Sequence, residues 1–274
     1  MEMPALVASD VDGTLLDPME RVTGRTAAAV RRVVAAGTPF VLVTGRPPRW
    51  VAPVVDALGV AGLAVCANGA VLYDAAERRV LHAEVLDPVL LHDAASALDR
   101  ALPGCAVAVE RVSHGHGEFL AENRYRHFLA EPDYEHAWPD ADSTEAQRAE
   151  VLGHPAIKLL VRHREMSSAA MAATAGEVLG GAVDITYSTG AGLLELSAPG
   201  VTKATGLAAV AERLDVDRAG VVAFGDMPND LPMLRWVGHG VAMANAHPEV
   251  LAVADEVAAP NSEDGVAQVL ERWF

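Results

Sequence analysis

The chain is poor in cysteine, in aromatic residues and in basic charge, and it has no long apolar run. Its two cysteines, Cys66 and Cys105, are too few for a disulfide framework. Far apart and in apolar surroundings, they read as two buried reduced thiols. Aromatic residues make up 5 % of the 274, and Trp138, Trp236 and Trp273 read as packing residues rather than a stacking platform. Lysine and arginine number 21 against 37 acids, a net charge of −16. Such a surface repels polyanions, which excludes nucleic acid and anionic membrane as partners. The most apolar stretch, residues 57–67, is too short to span a bilayer and runs into Asn68. Met1-Glu2-Met3-Pro4 lacks a basic segment followed by an apolar one, so no secretory signal is read there. What is left is a soluble globular chain in a reducing, cytoplasmic setting, long enough for one large domain or two. A small anionic ligand stays compatible with the charge if a metal and a few basic side chains reverse its sign locally.

The first third alternates short apolar runs with amphipathic stretches. Residues 6–11, 40–43 and 63–66 read as strands, and 23–36 and 49–58 as helices, with Thr23 a plausible N-cap and Gly37 a helix-ending glycine. Strands separated by helices imply right-handed βαβ units and a parallel sheet. Residues 71–73 and 79–82 read as a hairpin. In the middle third, helices are expected over 87–101 and 167–179. Strands are expected over 106–109, 157–161, 182–188 and 193–197, with loop and strand over 115–121. Residues 131–150 are polar, acidic and proline-containing, and read as a long surface connection. The last third resumes the opening pattern, with helices at 203–214, 230–236 and 265–273 and strands at 221–224 and 240–243. No internal repeat or low-complexity tract is visible.

Asp10-Val11-Asp12-Gly13-Thr14 follows the first apolar strand. In an extended chain residues i and i+2 point the same way, so Asp10 and Asp12 are expected to face one site at a carboxyl-terminal strand end, where α/β sheets hold ligands. Two like charges that close repel, unless a cation or a chemical task offsets them. Three further clusters fall at strand ends of the inferred parallel sheet: Thr44-Gly45-Arg46, Lys203, and Gly225-Asp226-Met227-Pro228-Asn229-Asp230. Each has an ordinary reading. Thr44 suits a turn cap, Lys203 a solvated helix start, and Asn229 or Asp230 an N-cap, although acids after an apolar strand and a glycine also resemble a hard-cation site.

In order and spacing the four clusters resemble the motifs of the haloacid dehalogenase superfamily of phosphohydrolases. The more specific resemblance is to its Cof-like branch, carried also by Asn68-Gly69-Ala70, residues 195–207, 225–234 and 260–266. Ala204 stands where that branch usually has glycine. The resemblance implies an α/β fold, a Rossmann-like parallel-sheet core with an inserted α+β cap. The core is expected over residues 1–82 and 191–274 and the cap over 83–190. It also implies a phosphatase in which Asp10 attacks phosphorus and Asp12 serves as general acid and then general base. Mg²⁺ is the implied cofactor, held by Asp10, Asp226 and the Asp12 carbonyl, with Asp230 acting directly or through water. Thr44, Gly45, Lys203 and Asn229 are the implied phosphate-binding residues. A threonine in place of Asp12, as in the related ion-pumping ATPases, lacks a base and lets the aspartyl phosphate persist; an aspartate favours its hydrolysis.

The expected substrate is a small phosphorylated metabolite, with a sugar phosphate favoured, under a cap that closes over the site and supplies specificity contacts. Arg46, Glu118, Arg124 and Lys158 are candidate substrate contacts, each with a solvated or helix-start role as its ordinary alternative. His114-Gly115-His116 reads as a glycine-flanked loop rather than a second metal site. Asn261 and Asp264 are expected to support the site loops. A monomer or small homo-oligomer is expected. The rival readings are a phosphotransferase or mutase using the same intermediate, and a non-catalytic sensor of a phosphorylated ligand.

Overall fold

Two sheets are built from strands that come in the order set by the hydropathy pattern. A computed structural model describes residues 3–112, 127–136 and 143–274. β1 (Leu6–Ser9), β2 (Phe40–Val43) and β3 (Leu63–Cys66) alternate with helices Gly24–Ala35 and Ala52–Leu58, and β4 (Val71–Asp74) and β5 (Arg79–Ala83) follow. The middle of the chain supplies β6 (Ala106–Glu110), β7 (Phe128–Ala130), β8 (Thr144–Glu145), β9 (Lys158–Arg162), β10 (Asp184–Thr186) and β11 (Leu193–Ser197), with helices Pro88–Ala101, Arg148–Leu152 and Ser168–Leu179. β12 (Val221–Gly225), β13 (His239–Met243) and β14 (Glu256–Ala258) then alternate with helices Lys203–Arg213, Leu231–Trp236, Pro248–Leu251 and Gly265–Leu270.

The first sheet has the order β14-β13-β12-β1-β2-β3-β4-β5. It is parallel from β14 to β3, and β4 is antiparallel to β3. β1, β2 and β12 are buried along their whole length, as strands covered on both faces by helices must be. The chain leaves β1 toward β2 on one side and returns to β12 on the other, which makes the carboxyl end of β1 a topological switch point. Capping fixes where the first helix starts. Thr23 accepts a hydrogen bond from the Thr26 amide, as an N-cap should, and Gly37 adopts φ +86° just beyond the helix.

The chain divides into two compact units, Met1–Leu81 with Thr202–Phe274, and His82–Val201. The second unit is an α+β block whose mixed sheet runs β10-β11-β9-β6-β7-β8. Its second boundary lies at Thr202 rather than at residue 191. β11 pairs with β9 on one side and β10 on the other, and so belongs wholly to the second sheet. Residues 131–150 are not simply a surface connection either. Tyr134 is buried, β8 pairs in parallel with β7, and a helix begins at Arg148. β14 and the helix Pro248–Leu251 were not expected, because three- and four-residue elements carry too little periodicity to register. Cys66 is buried and Cys105 only half-buried. Burial raises the Cys105 pKa to about 11, so that thiol stays protonated.

Lys158 is buried, so the solvated reading does not hold. It lies buried on the face of the second sheet that also carries Leu160 and Ala108, ion-paired with the equally buried Glu195. Glu195 also accepts a hydrogen bond from Ser188 at 2.7 Å. Removing one member of a buried pair leaves an uncompensated charge, at a cost of about 3–5 kcal/mol. Lys158→Met is therefore expected to lower the unfolding free energy by about that amount in chemical denaturation, and adding Glu195→Gln should recover most of the loss. An unchanged denaturation midpoint for the single variant would show that water, not Lys158, balances Glu195.

Candidate functional site

Asp10 follows β1, Thr44 follows β2, Asn68 lies just after β3, and Asp226 follows β12. The parallel sheet thus delivers four polar residues to one end. Strand β1 stops at Ser9, and residues 11–15 form a tight turn in which Asp12 (φ −81°, ψ 124°) and Gly13 (φ 78°, ψ −7°) leave helical geometry. The alternation expected for an extended segment therefore does not reach Asp12, and the two acids enter different environments.

Asp10 is buried, and its Oδ1 is held at 2.5 Å by the Nζ of Lys203, whose ammonium also binds Asp230 Oδ1 at 2.6 Å. Lys203 is 1 % exposed, which rules out the solvated reading. It is the first residue of its helix, fixed by reciprocal bonds between Thr202 and Thr205. A cation there opposes the helix dipole, and the two carboxylates outweigh that cost. Burial alone would lower the Lys203 pKa, but Asp10 and Asp230 raise it, so the ammonium stays charged. Gly69 lets this helix start come close: at φ +109°, a Cβ there would lie 2.1 Å from the Thr202 carbonyl oxygen. Asp230 makes no side-chain hydrogen bond to the helix that follows it, so the N-cap reading does not describe its side chain. Its Oδ2 accepts from the amides of Asp226 (2.9 Å) and Met227 (3.0 Å), while its Oδ1 faces Lys203.

Asp226 accepts from the Thr14 hydroxyl at 2.8 Å. Glycine at position 13 makes room for it, since a Cβ there would lie 2.2 Å from Asp226 Oδ2. Carboxylate oxygens of Asp10, Asp226 and Asp230 all lie within 4.8 Å of one another. Burial first, and the neighbouring carboxylates after it, push the pKa of Asp10 well up and that of Asp226 to about 7. Three acids face one ammonium here, so the cluster carries excess negative charge in little water. This donor set fits a hard divalent cation, which would relieve both the repulsion and the burial cost.

Asp12 is gripped by Arg46: Nε lies 2.9 Å from Oδ2 and Nη2 2.5 Å from Oδ1. Thr44 is fully buried, and its Oγ1 accepts from the Arg46 amide at 3.0 Å, so its turn-capping role is real. Asn68 holds a left-handed conformation (φ 57°), and its Oδ1 accepts from Asn229 Nδ2 at 3.1 Å. A Cβ on Gly45 would press to 3.1 Å from that same Oδ1, which glycine avoids. The Asn229 Oδ1 is buried with no hydrogen-bond partner among the described residues. Gly45, Asn68 and Asn229 thus lie against one another beside Thr44, and Lys203 contacts Asp10 directly.

The sequence model of the haloacid dehalogenase-like hydrolases matches residues 7–270. This chain belongs to that family. It is 29 % identical to the Bacillus subtilis phosphatase YwpJ, across 97 % of this chain and 98 % of that protein. It is 28 % identical to the B. subtilis 5-amino-6-(5-phospho-D-ribitylamino)uracil phosphatase YcsE, across 98 % and 95 %. A solved haloacid dehalogenase-like hydrolase from B. subtilis superposes with a TM-score of 0.79 at 25 % identity, across 98 % of this chain and all of that one. The relatives are of the Cof-like kind, and the enzyme class is phosphoric monoester hydrolase.

Around this hydrolase site an outer layer of amides holds the Asp10–Leu16 loop. Asn245 Nδ2 donates to the Gly13 carbonyl at 2.8 Å, and its Oδ1 accepts from the Asn261 amide at 2.9 Å. Asn261 Nδ2 in turn donates to the Leu16 carbonyl at 2.8 Å. Asp264 accepts from the Thr23 hydroxyl at 2.5 Å, tying the last helix to the first. Asn261 and Asp264 therefore support the loops rather than the chemistry. Thr14, Asn68 and Asn245 had no role assigned from sequence. A polar residue directly after a buried strand is the signal that picks out Asn68. Glu118 and Arg124, with His114, His116 and Trp138, lie outside the described residues. No helix among the described residues is long and apolar enough to cross a membrane.

The raised carboxyl pKa values give the stability a pH dependence. Asp226 binds its proton more tightly in the folded protein (about 7 against an ordinary 3.8), and Asp10 shifts in the same direction. Between those values the cation-free folded state holds more protons than the unfolded chain, so its stability falls as pH rises through that window. A cation competes with the protons, so it should stabilise more at the higher pH. Melting with and without magnesium chloride is expected to show a rise in Tm on the order of 5 °C near pH 7.5 and much less near pH 5. Equal shifts at both pH values would contradict binding at these carboxylates.

Proposed function

We propose that this hydrolase is a Mg²⁺-dependent phosphatase of small phosphorylated metabolites that works through a phosphoryl group carried on Asp10. The observation that supports this most is the placement of Asp10, a buried carboxylate fixed through Oδ1 by Lys203 and set beside Asp226. In the first half-reaction an Asp10 carboxylate oxygen bonds to phosphorus as the ester P–O bond breaks, and Asp12 gives its proton to the leaving oxygen. In the second, Asp12 takes a proton from water, the water oxygen bonds to phosphorus, and the bond to Asp10 breaks. Phosphate leaves and both carboxylates are restored. Lys203 offsets charge on the phosphoryl oxygens, the Thr44 hydroxyl, Gly45 amide and Asn229 side chain orient them, and Asp230 holds Lys203 in place. Mg²⁺, held by Asp10, Asp226 and the Asp12 carbonyl, would neutralise charge on the transferring group.

The names of the relatives support a substrate class. YcsE acts, by its name, on a phosphorylated ribityl compound, a phosphomonoester on a polyol chain. A sugar or sugar-alcohol phosphate is accordingly the favoured substrate here. With purified protein and Mg²⁺, a panel of phosphorylated metabolites should release inorganic phosphate without any added acceptor. Asp10→Asn should lower kcat by at least about 10³-fold in a variant whose circular dichroism shows that it still folds. Release that requires an acceptor hydroxyl would favour a phosphotransferase, and no release from any ester would favour a ligand sensor.

A further inference from the structure

Among the described residues the site contains two cations, Lys203 and Arg46, and they serve different acids. Lys203 is committed to Asp10 and Asp230. Arg46 contacts Asp12 through both Nε and Nη2, in the fork-on-carboxylate geometry that a lysine cannot reproduce. The base of this arm is fixed. The Arg46 amide donates to Thr44 Oγ1 at 3.0 Å, its carbonyl accepts from the Ala67 amide at 2.9 Å, and Pro47 follows at φ −68°. Asp12 has the opposite character. It sits in a turn outside the strand, its side chain 52 % exposed, against 20 % for that of Arg46. A half-exposed carboxylate on a turn has several rotamers within reach, and a rigidly based guanidinium selects one.

We infer that Arg46 is a positioning residue for the acid–base carboxylate rather than a substrate contact, an inference that rests on the phosphatase reading above. As the P–O bond to the leaving group breaks, the proton passes from Asp12 to the leaving oxygen, and negative charge forms on Asp12 where the guanidinium fork already sits. The benefit is therefore specific to leaving groups that need a proton. An alkoxide leaves poorly without one, whereas a nitrophenolate does not need it.

The test compares kcat/KM for an alkyl phosphate and for p-nitrophenyl phosphate in wild type, Arg46→Lys and Arg46→Ala. Because kcat/KM reports steps up to the first irreversible one, it isolates transfer to Asp10 from the later hydrolysis. Both variants should lose about 100-fold on the alkyl ester and less than about 5-fold on the aryl ester. Adding Arg46→Lys to Asp12→Asn should cost little more. The ion pair is partly exposed and contributes little to folding; should Arg46→Ala nevertheless fail to fold, Arg46→Lys carries the comparison. Equal losses on both esters would make Arg46 a phosphate or substrate contact, and no loss would make it a bystander; either overturns the inference while the phosphatase reading stands. If wild type releases phosphate from neither these esters nor the metabolite panel, the phosphatase reading fails and this inference with it.

Discussion

A buried lysine ammonium between two carboxylates is the interaction on which the rest of the site depends. Lys203 has essentially no contact with water, and its charge is tolerated because Asp10 and Asp230 take it up. The same contact orients Asp10 and couples the helix Lys203–Arg213 to the ends of β1 and β12. With Asp226 included, the centre holds three acids to one base. Burial, and after it that surplus, raises the Asp10 and Asp226 pKa values, and a divalent cation would relieve both.

Around this centre the fold separates two carboxylates that are only two residues apart. Ending β1 at Ser9 and turning at Gly13 sends Asp10 into the interior toward Lys203 and leaves Asp12 at the edge with Arg46. Different surroundings would suit two like groups to different tasks, as the proposed nucleophile and acid–base carboxylate require. The glycine at 13 is part of the same device, because any side chain there would collide with Asp226. Asn245 and Asn261 hold the turn from outside through its carbonyls.

Much of this was legible in the residues alone. Buried strands such as 40–43 and 193–197, and the cap at Thr23, announce themselves by short-range pattern and hydrogen-bonding chemistry. The gathering of Asp10, Thr44 and Asp226 followed from strand ends in a parallel sheet, whereas Lys203 opens a helix that comes after a strand of the second sheet. Partner choice was less legible. Nothing in Arg46-Pro47-Pro48 says that the guanidinium turns to Asp12, and nothing around Lys158 says that it is buried against Glu195, thirty-seven residues on. Those contacts depend on register between distant strands and on the exact exit of a turn. The boundary at Thr202 was missed for the same reason, since pairing of β11 with β9 and β10 is a property of the sheet, not of the segment.

The claim that Asp10 carries the phosphoryl group can be tested most directly by rapid-quench mass spectrometry of Asp12→Asn turning over a phosphomonoester it accepts. The expected result is one phosphoryl mass on the peptide that contains Asp10, absent when Asp10→Asn is added. A phosphoryl mass on another residue, or turnover with none on the Asp10 peptide at any time point, would contradict the account.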